Sequence, residues 1–321
     1  MKKFEKINLA QIPTPIETIS FRKKKFLIKR DDLTGCELSG NKVRKLEYIL
    51  FEAKKKKADI IFTCGGEQSN HARAVTIAAK KIGLKTKLFL WGNPKKNISG
   101  NLFLNLVNNA EIKFLNKKEY KNVNEIMFNE ARFFQEKREL NAYVIPEGGA
   151  NVLGCYAYYN FVNEIANQID IKKLGGIVVA AGSGGTAAGI LSAISLLNLK
   201  LKVVAVNVLY DKETITKKIL LLSEALLNEI NSNSKVSSDN LIVLDGYSTE
   251  GYKKINKDKI ELMLRFVEET GILFDPVYTG KAFYAYYKNF LDKGLGMKYL
   301  FVHTGGLFGI FGREKDYLSG K

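Results

Sequence analysis

An α/β fold with parallel sheets is predicted by two features of this 321-residue chain. Largely apolar runs such as ADIIFT, TKLFLW and LKVVAVNVL, and the fully apolar GGIVVAAG, alternate with stretches of helical periodicity. Polar, glycine-bearing loops follow several of these runs. A strand that is apolar at every position is buried on both faces, and helices on both sides of a parallel sheet provide that burial. A hydrophobic fraction of 46%, a charged fraction of 26% and only 5 prolines are ordinary globular values, and the length allows one or two domains.

Taken in order, residues 1–40 read as an N-terminal arm with a turn-like IPTP and a strand at FLIKR, 26–30. Val43, Leu46, Ile49 and Ala53 recur at helical spacing, which predicts a helix from Asn41 to about Lys57, capped by Ser39 or Asn41. ADIIFT is the next strand, then a helix from Asn70 to Ile82, the strand TKLFLW, a helix near 99–109 and the strand EIKFL. One long helix near 119–140 precedes the strand AYVIP. The glycine-rich loop EGGANVLG at 147–154 is the best boundary signal, and a helix over about 154–168 follows it. GGIVVAAG leads into a helix from Gly185 to about Leu197. LKVVAVNVL, LIVLDGY and KYLFVHTG are the remaining strands, with helices near 211–231, 258–270 and 280–293. No solenoid repeat or low-complexity tract interrupts the pattern.

The formal charge is +17, which suits an anionic ligand or nucleic acid. The lysines, however, are dispersed, as in KKK at 23–25 and KKKK at 54–57, with no nucleic-acid-binding motif among them. They read as solvated helix faces, and neither nucleic acid nor membrane is expected as a partner. Cys36, Cys64 and Cys155 are odd in number and widely spaced, so no disulfide framework or metal site is suggested. There is no apolar leader segment and no run long enough to span a membrane, so a soluble, cytoplasmic protein is expected.

Chemistry concentrates in a few loops. SGNK places Lys42 in the first turn of a helix, where the helix dipole disfavours a cation and Arg44 and Lys45 add like charge. With partial desolvation such a lysine becomes a nucleophilic amine. Taken singly, it reads as one more solvated surface lysine. In TCGGEQSNH, Ser69, Asn70 and the helix start can hold a carboxylate, although a plain N-cap explains the same residues. In GSGGTAAG the backbone of Gly182 to Thr186 and the Ser183 and Thr186 hydroxyls form an anion nest at a helix start. No GK[ST] follows, and a tight strand–helix turn is the other reading. DPVYTGK offers Tyr278 and Thr279 before a helix, and HTGG at 303–306 is a further strand-to-helix loop.

In combination these loops suggest a phosphorylated aldehyde cofactor, which needs a covalent lysine, a phosphate cup and a pocket for an amino-acid carboxylate. KRDDLTG, GNKVRKLE, QSNHAR, GSGGTAAG, DPVYTGKA and HTGG also occur in an order and spacing that resembles a known family along nearly the whole chain. It is the D-cysteine desulfhydrase and 1-aminocyclopropane-1-carboxylate deaminase family of fold-type II (tryptophan synthase β-like) pyridoxal phosphate enzymes. The resemblance implies a large cofactor domain of residues 1–45 and 147–321, a small α/β domain of residues 46–146, and a homodimer. It implies that Lys42 binds pyridoxal 5'-phosphate covalently and later moves the Cα proton, and that Asn70 bonds the cofactor's phenolic oxygen. Ser69, Asn70 and the His71 backbone would bind the substrate carboxylate. Gly182, Ser183, Gly184, Gly185 and Thr186 would hold the phosphate, with Lys45 as a helper, and Thr279 would lie at the pyridine nitrogen. Tyr278 would approach the substrate side chain, and Tyr252 falls where the family carries its second active-site tyrosine.

Two positions depart from the family pattern: Glu67 is acidic where an apolar residue is expected, and KKIN follows Tyr252 in place of a glycine-proline turn. The implied reaction is β-elimination of D-cysteine to sulfide, pyruvate and ammonia. The alternatives are ring opening of the cyclopropane amino acid and elimination from another β-substituted amino acid. The rival from another class is a non-catalytic, basic nucleotide- or nucleic-acid-binding protein. Thr279 favours the desulfhydrase, because by resemblance the deaminase branch carries a glutamate after the tyrosine.

Overall fold

The structure, a computed structural model, describes residues 2–94 and 98–318. The chain opens with a hairpin of β1 (Ile16–Phe21) and β2 (Lys24–Lys29), turned by Arg22 and Lys23 at positive φ. Then come α1 (Asn41–Lys55), β3 (Ile60–Gly66), α2 (Asn70–Lys81), β4 (Lys85–Trp91), α3 (Gly100–Val107) and β5 (Glu111–Leu115). The short α4 (Lys117–Tyr120) and α5 (Val123–Arg138) lead to β6 (Ala142–Val144). The second half runs α6 (Val152–Gln168), β7 (Gly176–Ala181), α7 (Gly185–Leu196), β8 (Lys202–Asn207), α8 (Lys212–Glu229), β9 (Leu241–Leu244) and α9 (Lys257–Thr270). It ends with α10 (Thr279–Tyr286), continued by a π-helical turn, then β10 (Tyr299–Val302), α11 (Leu307–Ile310) and α12 (Glu314–Leu318).

Two sheets result. One has strand order β1-β2-β10-β7-β8-β9 and is parallel except for the β1–β2 hairpin. The other, β5-β4-β3-β6, is parallel throughout. Along β7, Ile177 and Val179 join a core with Phe161, Ile190 and Ile219 of α6, α7 and α8. Val178 and Ala180 join the opposite core with Phe266 and Phe283 of α9 and α10. Every residue of the strand is thus buried, which is why its sequence is apolar without interruption. Helix α1 packs its Leu46 and Ile49 among Ala74, Val75 and Ile77 of α2, while Tyr48 meets Tyr156 of α6 edge-on at 5.2 Å. It therefore bridges the two sheets' helix layers. No helix among the described residues is long and apolar enough to cross a membrane.

The KRDD segment anchors α1 rather than acting chemically. Fully buried Asp31 pairs with Arg44 at 2.8 Å, Arg44 also pairs with Glu164 at 2.8 Å, and Lys29 reaches Glu164 at 2.5 Å. Removing one member of such a buried network leaves a charge without its partner, so the segment is held firmly. The network also corrects one expectation: the charge of Arg44 is engaged by Asp31 and Glu164, so it is not what acts on Lys42.

Three local differences have clear causes. The expected strand at 26–30 is half of a hairpin, because IETISF, half-buried or exposed up to the buried Phe21, pairs antiparallel to β2. The helix expected near 119–140 starts earlier, at Lys117, where Asn116 and Glu119 form a reciprocal capping box, and it is interrupted at Lys121 and Asn122. The N-cap of α1 is Gly40, not Ser39 or Asn41. Its φ of +88° favours glycine, and a Cβ there would stand 2.9 Å from the Thr304 carbonyl oxygen. Asn41 instead donates to Thr186 Oγ1 at 3.2 Å, tying the heads of α1 and α7 together.

Candidate active site

A cleft of about 730 Å3 lies between the loops at the C-terminal ends of β3 and β7 and the heads of α1, α2, α7 and α10. This is where open parallel sheets bind ligands. The structure brings together Lys42, Ser69, Asn70, His71, Gly182, Ser183, Gly184, Thr186, Tyr252 and Tyr278 around it. Lys45, Gly185 and Thr279 stand one layer behind. A Cβ on Gly185 would be 3.0 Å from Lys45 Nζ, which places that amine at the first turn of α7. Thr279 is fully buried, and its hydroxyl donates to the Gly305 carbonyl at 3.0 Å and touches Thr304 Oγ1 at 3.3 Å; on this wall Thr304, not Thr279, lines the cleft.

The Lys42 amine is held well below its ordinary pKa, first by loss of solvation and then by the Lys45 charge, with Glu147 acting in opposition. Desolvation is the largest of these causes. Lys45 is lowered to about 8 by burial. His71 lies well below its usual range for the same reason, with both lysine charges adding to it, and is neutral. The Thr63 hydroxyl donates to the Ile145 carbonyl, so it accepts from His71 Nε2 at 2.9 Å. Ser69 caps α2 by accepting the Ala72 N–H at 3.2 Å, which leaves its hydroxyl proton available as a donor. The Tyr252 and Tyr278 hydroxyls bond each other, with rings edge-on at 5.7 Å. Burial raises both phenols above their usual range, so both are protonated at neutral pH.

At the head of α7 the N-cap is Gly184, which supplies no side-chain acceptor, and no acidic residue occupies the first turn. The leading N–H groups of this twelve-residue helix are therefore open to an anion in the cleft.

Several residues of the lining had no site role in the sequence reading, Glu147, Asp275, Thr304 and Gly305 among them. Glu147, at the loop that served only as a boundary signal, accepts from Tyr120 at 2.8 Å and Tyr210 at 3.2 Å. Asp275 accepts the N–H groups of Val277, Tyr278 and Thr279 at 3.0, 2.7 and 2.9 Å, fixing the turn before α10. Thr304 and Gly305 complete the wall. Behind Asn70, buried Asn101 donates to Asn70 Oδ1 and to the Gln68 carbonyl, both at 2.9 Å. The Asn70 carbonyl oxygen is thereby engaged, and its amide N–H2 is the group left for the cleft. Asn101→Ala removes both bonds and is expected to cost about 1–3 kcal/mol of stability, read by urea denaturation.

The model of the pyridoxal-phosphate dependent enzyme family matches residues 7–305. This chain belongs to that family. A Thermotoga maritima protein, provisionally named a 1-aminocyclopropane-1-carboxylate deaminase, is 38% identical over 97% of this chain and 99% of its own length. The mitochondrial bifunctional D-cysteine desulfhydrase/1-aminocyclopropane-1-carboxylate deaminase of Arabidopsis thaliana is 36% identical over 97% of this chain and 80% of its own. A crystal structure of an ACC deaminase homologue superposes with a TM-score of 0.90 at 36% identity, covering 99% of this chain and 97% of that one. The cofactor of this pyridoxal-phosphate dependent enzyme is pyridoxal phosphate. Its residues fit that group: an amine with a lowered pKa faces a polar cleft, and the uncapped head of α7 offers N–H groups to a phosphate.

Proposed function

We propose that the chain is a lyase that eliminates the thiol of D-cysteine, giving sulfide, pyruvate and ammonia with uptake of one water. Bound pyridoxal phosphate would supply the electron sink for the negative charge left at Cα. Lys42, whose burial lowers its pKa and so favours the neutral amine, takes the Cα proton. The Ser69 hydroxyl, the Asn70 side chain and the His71 N–H bind the substrate carboxylate at the head of α2, where the helix dipole favours an anion. The paired phenols of Tyr252 and Tyr278 face the β-substituent, and one of them gives its proton to the departing thiolate. The Gly182–Thr186 loop, with Lys45 behind it, holds the phosphate. In the same reading, residues 1–45 and 147–321 are a large domain and 46–146 a small one that closes over the cleft. A homodimer is part of it as well; the exposed apolar side chains of Phe103, Leu106 and Val107 on α3 support a covered surface.

The observation that favours D-cysteine is position 279. A threonine there, bonded to the Gly305 carbonyl, brings no negative charge to the pyridine nitrogen. Asp275, the nearby carboxylate, is engaged by three backbone N–H groups. A weaker sink suffices to expel sulfide after proton removal, whereas opening a ring with no α-hydrogen needs a stronger one. The names of the Thermotoga and Arabidopsis relatives favour the ring-opening reading as a second activity. A substrate panel decides between them. The expected result is sulfide and pyruvate from D-cysteine, little from L-cysteine, and little 2-oxobutanoate from the cyclopropane acid. A larger kcat/KM for the cyclopropane acid than for D-cysteine would reverse the order.

A further inference from the structure

The two positions that depart from the family pattern meet in space. Lys253 Nζ lies 3.8 Å from Glu67 Oε1 and 4.1 Å from the centroid of the Trp91 ring. Glu67 follows β3 and Trp91 ends β4, so both belong to the β5-β4-β3-β6 sheet. Lys253 comes from the connection between β9 and α9 on the other sheet, next to Tyr252. A second cavity of about 980 Å3 adjoins the reaction cleft and shares Ser69, Asn70, Tyr252 and Tyr278 with it, and Glu67 and Lys253 stand in its wall. An ammonium shared between a carboxylate and an indole face thus joins the two sides of the molecule where that cavity meets the substrate groups.

We propose that Lys253 is a positioning residue, a latch that holds the Tyr252 segment against the small sheet and so keeps Tyr252 over the substrate. The proposal rests on the lyase reading only for what Tyr252 faces. The Lys253 side chain is 37% exposed, and a pair at such exposure contributes little on its own, which suits a contact that opens to admit substrate and closes again. The acid at 67 and the lysine at 253 are then one feature: each departure supplies the partner of the other.

Trp91 is the single tryptophan of the chain, so its fluorescence reports on the latch without any turnover. The holoenzyme is compared with Lys253→Met, which keeps an unbranched side chain one atom shorter and without the charge, and with Lys253→Arg. In Lys253→Met, acrylamide quenching of Trp91 is expected to rise about twofold, and the dissociation constant of D-alanine, an amino acid without a leaving group, about three- to tenfold. Lys253→Arg restores both, because guanidinium serves the same carboxylate and ring. The melting temperature stays the same in all three proteins. Unchanged quenching in Lys253→Met overturns the latch, as does altered quenching with unchanged D-alanine affinity. A wild-type enzyme that fails to bind D-alanine counts against the substrate reading, and the Trp91 measurement still decides the latch.

Discussion

Borohydride reduction of the holoenzyme followed by peptide mapping is expected to place the pyridoxyl group on Lys42, and Lys42→Ala is expected to fold but to lose about 10^3- to 10^4-fold in turnover. Four described lysines are held below their ordinary pKa: Lys29, Lys42, Lys45 and Lys281. A lowered pKa is therefore not the deciding property. Lys29 is locked to Glu164 at 2.5 Å, and Lys281 donates to the Gly251 carbonyl at 2.8 Å. Lys45 stands behind Gly185. Lys42 alone of the four lines the cleft. Its side chain faces the cleft, so its truncation is expected to leave the packing of α1 intact. Recovery of the label on any of the other three would remove the proposed base from the mechanism.

Gly184→Asp is expected to weaken cofactor binding on the order of 10^3-fold, measured by equilibrium dialysis or by the near-visible absorbance on titration. Two unit charges about 4 Å apart at an effective dielectric constant near 20 repel by about 4 kcal/mol, and the phosphate carries more than one charge. Gly184 has a φ of +88°, so any side chain there is strained, and a Cβ would meet Ile219 Cγ1 at 3.3 Å. Gly184→Ala carries the same strain without the charge and separates the two effects. If Gly184→Asp and Gly184→Ala bind the cofactor equally, the head of α7 does not hold the phosphate.

Sequence periodicity by itself determined the alternation of strands and helices, because a parallel strand buried on both faces must be apolar throughout, as in GIVVAA of β7. The cleft loops were legible for a related reason. Glycines and small polar residues between an apolar strand and a helix have little to do in a core, so SGNK, QSNH and GSGG stood out as ligand-facing. What failed to show were features whose meaning lies in a distant partner. Glu147 is one acid among many until Tyr120 and Tyr210 converge on it from separate segments. Asn101 gains its role only by facing Asn70, and Gly40 only because the Thr304 carbonyl approaches it. The charge of Arg44 counts as a neighbour of Lys42 in the sequence, but in the fold it is turned away and neutralised by Asp31 and Glu164. Glu67 and Lys253 look like two unrelated irregularities in the chain and are a pair in space. Local pattern records burial and backbone geometry, which neighbouring residues share. Electrostatic and hydrogen-bond partnerships are made across the fold, and tertiary structure alone brings their members together.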